Sequence, residues 1–145
     1  MIKAEFRDSL FLSKRLYDQT MQPVCDRFAL TRMELDILLF LANNPAYDTA
    51  SDLIERRGLA KSHVSVSVQA LEKAGYLRRV FHPGNRKTMH LELLDAANPI
   101  VERGQAAQEA FFAAVFAGFT PQEQQHLRGD FARIANNIRK KLRGA

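Results

Sequence analysis

Between residues 49 and 93 the chain is punctuated so closely that few folds can accommodate it. Thr49-Ala-Ser-Asp52 is a capping-box signal, in which a hydroxyl and a carboxylate satisfy the free donors of a helix start, and it stands directly before Leu53 and Ile54. Gly58 supplies a helix end. After a brief Leu59-Ala60 connection a second helical stretch, Lys-Ser-His-Val-Ser-Val-Ser-Val-Gln-Ala-Leu-Glu-Lys-Ala-Gly, occupies residues 61–75. Residues 76–81 and 88–93 then read as two strands, and in the second Met89, Leu91 and Leu93 alternate with His90 and Glu92, the period of a pleated segment. Between them His82-Pro-Gly-Asn-Arg-Lys87 is a turn-rich tip carrying two cations. Two short helices joined by a tight turn and followed at once by a basic hairpin have the outline of a winged helix-turn-helix.

The second of those helices has two different faces. At about 100° per residue Val64, Val68 and Leu71 share one stripe, while Ser62, Val66, Gln69 and Lys73 point the opposite way with His63 and Ser65 flanking. The first stripe is a core face. The second offers hydroxyls, an amide, an imidazole and an exposed methyl pair, a set suited to base edges in a major groove. A solvated polar face would have a similar composition, so the helix alone does not distinguish the two readings.

On either side the chain is helical. Residues 2–21 place Ile2, Phe6, Leu10, Leu16, Tyr17 and Met21 mostly three and four apart with charged residues between them. Thr31-Arg-Met-Glu34 caps a second helix through the apolar run 35–41, which stops before Asn43-Asn44-Pro45. Residues 96–118 are rich in Ala, Gln and Glu and end in a phenylalanine cluster; Thr120-Pro-Gln-Glu123 then opens a last helix in which Leu127, Phe131, Ile134, Ile138 and Leu142 recur at near-heptad spacing. The reading is a mainly α chain forming one domain over 1–145, with a winged helix at 31–95 and terminal helices at 1–30 and 96–145 that pair with another subunit. Phe6, Leu10, Phe131, Ile134 and Ile138 supply more apolar stripe than a lone winged helix covers, so an obligate dimer is expected.

Twenty-one Lys and Arg against 16 Asp and Glu give a formal charge of +5, which favours a polyanionic partner. The uncharged runs 37–47 and 110–122 are too short for a membrane span, and the charged start lacks a signal-peptide apolar region. The single cysteine excludes an intrachain disulfide and fits a reducing, intracellular setting.

The stretch Leu59-Ala-Lys-Ser-His-Val-Ser-Val-Ser-Val-Gln-Ala-Leu-Glu-Lys-Ala-Gly-Tyr-Leu77 resembles the MarR family of bacterial transcription factors, the multiple antibiotic resistance regulators, in its reading helix, its Leu-Glu-x-x-Gly motif and its first wing strand. The wing, the Leu-Glu-Leu-Leu-Asp strand end and the helix order extend the likeness over nearly the whole chain. The resemblance implies a cytoplasmic, triangular homodimer that binds pseudopalindromic double-stranded DNA, most often as a repressor, without a cofactor, and is released by a small molecule or an oxidant. It assigns DNA contact to Lys61, Ser62, His63, Ser65, Val66 and Gln69 on the reading helix and to Asn85, Arg86 and Lys87 on the wing. Four features depart from the pattern. Val66 and Ala70 stand where basic residues are common, Asn85-Arg86-Lys87 replaces Asp-x-Arg and leaves open which cation enters a minor groove, and Ala60 replaces a Ser cap.

Other chemistry is weakly represented. The sequence has no Gly-rich phosphate loop, no Gly-x-Ser-x-Gly elbow and no His-Glu-x-x-His, so an enzyme is not expected. His63, His82, His90 and His126 lack the short spacings of a structural zinc site; His63 and His82 read as DNA-face or wing residues and His90 as an outward strand residue. Cys25, read as lying between the first two helices with Arg27 nearby, is a candidate redox residue, and the competing reading is a small buried apolar side chain. Arg139, Lys140, Lys141 and Arg143 read as a solvated helix end. The rival to a DNA-binding regulator is a winged-helix module that binds another protein and no DNA.

Overall fold

A computed structural model describes residues 1–144 of the 145. The first element, α1 (Lys3–Phe28), is longer than its sequence pattern predicts and runs through Pro23. Proline removes one helical hydrogen bond, but Met21, Val24 and Cys25 on either side of it are buried and hold the helix in register with the core. The helix ends only at Ala29, a left-handed residue (φ 52°) whose N–H donates to the Cys25 carbonyl. Cys25 therefore lies within α1 and not between helices, and the missing glycine is why the sequence carries no stop signal there.

The next helix, α2 (Arg32–Asn43), starts as expected: the Glu34 N–H donates to Thr31 Oγ1 at 3.1 Å and the Thr31 N–H to Glu34 Oε1 at 2.8 Å. Leu35, Ile37, Leu38, Leu39, Phe40 and Leu41 are all buried, so α2 is apolar around most of its circumference and forms the centre of the fold. Thr49 and Asp52 make the second capping box and open α3 (Ala50–Arg57), which ends on left-handed Gly58. From there α4 (Lys61–Lys73) follows and packs on α2 and α3.

The wing is an antiparallel pair, β1 (Leu77–His82) and β2 (Asn85–Leu93), with Leu77 opposite Leu93, Arg78 opposite Glu92 and Val80 opposite His90. Its tip is shorter than predicted. Asn85, Arg86 and Lys87 belong to β2, and only Pro83 and Gly84 (φ 80°) make the turn. The register slips between Val80 and His82, because His82 pairs with Asn85. Asn85 accommodates the slip: its Oδ1 accepts from the backbone N–H groups of Lys87 and Thr88 at 3.1 and 3.2 Å, and its amide donates to Thr88 Oγ1.

His90 is not an outward strand residue. Its Nδ1 lies 2.8 Å from Asp48 Oδ1 and its ring stacks on His82 at 3.8 Å, while the neighbouring Leu91 N–H donates to the Asp48 carbonyl at 2.7 Å. The α2–α3 connection thus joins the sheet beside β2, a long-range pairing that strand alternation cannot reveal.

After a 3-10 turn (Asp95–Ala97), α5 (Asn98–Val115) brings Gly104 so close to α2 that a Cβ there would meet Leu39 Cδ2 at 2.6 Å. Gln108 donates to the Tyr17 hydroxyl at 2.9 Å, and the Tyr17 ring meets Phe111 edge-on. The chain divides into two compact units after Phe111. In the second unit α6 (Pro121–Gly144) is capped by Thr120 and Glu123 as predicted, and no described residue of it is buried. Phe131, Ile134, Ile138 and Leu142 are exposed along it, as Ile2, Phe6, Leu10, Phe11 and Leu12 are along the start of α1.

Candidate nucleic-acid interface

The two faces of α4 separate as its sequence indicates. Val64, Val68 and Leu71 are buried in the core with Ser67 beside them, whereas Lys61, Ser62, His63, Ser65, Gln69 and Lys73 are exposed and Val66 keeps 68% of its surface accessible. The start of the helix has no side-chain cap at Ala60. Its end is firmly made: the Tyr76 N–H donates to the Leu71 carbonyl at 3.0 Å and the Gly75 N–H to the Glu72 carbonyl at 3.1 Å, with Gly75 at φ 85°. These are the paired bonds of a Schellman ending, which turns the chain directly into β1.

Glu72 holds the wing to this helix, a role that sequence reasoning missed. Its carboxylate accepts from Arg79 Nε at 2.9 Å, from Arg79 Nη2 at 2.6 Å and from the Arg79 backbone N–H at 3.1 Å. Those bonds hold the Glu72 carboxyl below the usual carboxylate range, so the clamp is intact at neutral pH and is lost only as pH falls through that lowered value. The available signal was Glu72 itself, an acid inside the Leu-Glu-x-x-Gly motif with Arg79 seven residues on.

The clamp also sorts the cations. Arg79 is bound to Glu72 and Arg78 is bound to Glu92 directly across the strand pair at 3.0 Å. Among the described residues Lys61, Lys73, Arg86 and Lys87 have no ion-pair partner, so the uncompensated positive charge of this region lies at the two ends of α4 and on β2. Asn85 is exposed but its side chain is engaged in shaping the wing, where it sets the backbone that carries Arg86 and Lys87.

Cys25 is 2% exposed, and burial pushes its thiol pKa up; the opposing cation is Arg32, while Arg27 sits over the Phe28 ring. A raised folded-state value means less thiolate at neutral pH than in a free cysteine, and a native state that loses stability as pH rises through that value. Iodoacetamide labelling of the native protein at neutral pH is therefore expected to be far slower than labelling of the urea-unfolded chain, and Cys25→Ser should leave DNA release by peroxide unchanged. Equal labelling rates would identify a reactive thiol instead. No group of three or more His, Cys, Asp or Glu among the described residues is arranged to hold a metal ion, and no described helix is long and apolar enough to cross a membrane.

A helix-turn-helix clamped to a basic two-stranded wing, with terminal helices before and after it, defines a winged helix-turn-helix protein. Residues 30–88, which contain the helix-turn-helix and most of the wing, match the profile of the MarR family. Over 125 residues the chain is 24% identical to the HTH-type transcriptional regulator PecS of Dickeya dadantii (strain 3937), spanning 85% of this chain and 75% of PecS. The structure of a MarR family transcriptional regulator from Listeria monocytogenes complexed with 26mer DNA is similar with a TM-score of 0.78 at 16% identity, over 92% of this chain and 87% of that one. Bordetella bronchiseptica BpsR, whose DNA binding is regulated by 6-hydroxynicotinic acid, is similar with a TM-score of 0.69 at 15% identity, over 90% of this chain and 98% of its own. Residues 30–88 are thus similar to the MarR family, and the solved structures share this fold.

Proposed function

We propose that the protein is a homodimeric repressor that binds a pseudopalindromic operator through α4 and the wing and is released by a small-molecule effector. The observation that carries this reading is the outer face of α4: an exposed polar stripe bounded by unpaired lysines, set next to a wing whose free cations are Arg86 and Lys87. Lys61, Ser62, His63, Ser65, Val66 and Gln69 supply the groove contacts, and Asn85 presents Arg86 and Lys87 to phosphate or a minor groove. The winged helix at 31–95 is the DNA-binding part, and the helices at 1–30 and 96–145 form the dimer. The exposed apolar rows of α1 and α6 support that assignment, since surface of this kind is costly to leave in water.

Two reading helices in one dimer enter successive major grooves about 34–36 Å apart. An effector that changes their spacing lowers affinity, and the buried thiol of Cys25 favours a bound small molecule over oxidation as the trigger. BpsR, whose DNA binding is regulated by 6-hydroxynicotinic acid, is consistent with that choice.

Selection of bound sequences from random duplex DNA tests the reading, with light scattering of the same preparation. An enriched inverted repeat and a dimer at micromolar concentration are the expected results. No enrichment would point to a protein-interaction module, and a monomer would overturn the geometry.

A further inference from the structure

We propose that α4 selects A·T pairs at the centre of each half-site, with Val66 and Ala70 on thymine methyl groups and Gln69 on an adenine; this rests on the regulator reading above. Ser62, Val66, Gln69 and Lys73 fall at i, i+4, i+7 and i+11, one outward stripe, and Ala70 lies a turn beyond Val66 on its flank. The core needs none of them, because Val64, Val68 and Leu71 already bury the other face. Val66, Gln69, Ala70, Lys73 and Glu72, whose carboxylate is bound to Arg79, line one shallow exposed depression, so the apolar groups and the amide converge on the same surface.

The chemistry of that surface is selective. Guanine is read chiefly by Arg or Lys against O6 and N7, adenine by the amide of Asn or Gln against N6 and N7, and thymine alone offers a C5 methyl in the major groove. No arginine lies on α4, and its lysines, Lys61 and Lys73, sit at the two ends. The middle of the helix therefore has no cation for guanine. It has two small apolar side chains and a Gln69 amide with no hydrogen-bond partner among the described residues, which a flanking adenine satisfies. The unpaired lysines at either end complement phosphates on both sides of the groove, which holds this neutral patch against the bases.

The experiment uses the full chain and two random duplex pools, one made with thymidine and one with deoxyuridine, which differs only by lacking the methyl. Each thymidine of the selected duplex is then replaced singly by deoxyuridine and titrated against wild type and Val66→Ala. The thymidine pool should enrich A·T at the half-site centre and the deoxyuridine pool should lose that enrichment. Single replacement at one or two positions per half-site should weaken wild type about three- to fivefold, as expected for one buried methyl. Val66→Ala should lose most of the deoxyuridine effect at one of those positions and keep it at the position read by Ala70, with its melting temperature unchanged, which separates a contact from a folding defect. An inverted repeat with central G·C pairs, or one indifferent to deoxyuridine, would sink the methyl-reading proposal and leave the regulator reading standing. Failure to enrich any duplex in either pool overturns both.

Discussion

Leu71→Ala is expected to destabilise the protein by about 2–5 kcal/mol, whereas Val66→Ala, five residues earlier on the same helix, should change stability by no more than about 0.5 kcal/mol. Leu71 is fully buried and sits where α4 turns into the wing, and its carbonyl accepts the Tyr76 N–H that closes the helix. Truncation there removes packing against α2 and leaves a cavity close to the turn that aims β1. Val66 has no such neighbours to lose, since it is mostly exposed. Urea unfolding of both variants gives the comparison, with the midpoint falling for Leu71→Ala at an unchanged slope. Comparable losses at the two positions would mean that α4 is covered on both faces, and the outer face would then be closed to DNA.

On DNA the wing and the reading helix should fail in different ways. Arg86→Ala or Lys87→Ala removes an unpaired cation from β2, so binding to operator and scrambled duplex should weaken together, and the salt dependence should flatten by about one unit for each phosphate that is no longer neutralised. Gln69→Ala or Ser65→Ala alters the outer face of α4 without touching a cation. Its expected cost is about 1–3 kcal/mol at particular base pairs, with the salt slope nearly unchanged. Titration on both duplexes at several salt concentrations separates the two classes. Wing variants that lose discrimination, together with helix variants that lose only general affinity, would reverse the assignment of the two elements.

The Glu72–Arg79 clamp connects these results, because it fixes the base of the wing to α4. It adds a polar tie to the apolar anchoring of the hairpin by buried Leu77 and Leu91. The clamp uses an exposed pair, and its value lies in a three-point geometry that a single surface ion pair lacks.

Local chemistry settled much of this protein before any fold was in view. Thr31 with Glu34, Thr49 with Asp52 and Thr120 with Glu123 each mark a helix start, because a cap is a bond between residues three apart and needs nothing from elsewhere. The two faces of α4 follow equally from spacing. What the sequence could not decide depends on residues far apart. The apolar spacing of α1 is legible only as far as Met21, yet burial of Met21, Val24 and Cys25 carries the helix through Pro23 to Phe28 and takes Cys25 into the core. His90 alternates like an outward residue, and only the pairing of β2 with residues 48–49 shows that it is held by Asp48 and stacked on His82. Asn85, Arg86 and Lys87 read as turn because Pro and Gly adjoin them; the Asn85 side chain lets the strand begin there. The same holds for the free charges of the wing. Composition counts cations, but which of them remain unpaired is decided by Glu72 and Glu92, brought within reach of Arg79 and Arg78 only once α4, β1 and β2 have packed.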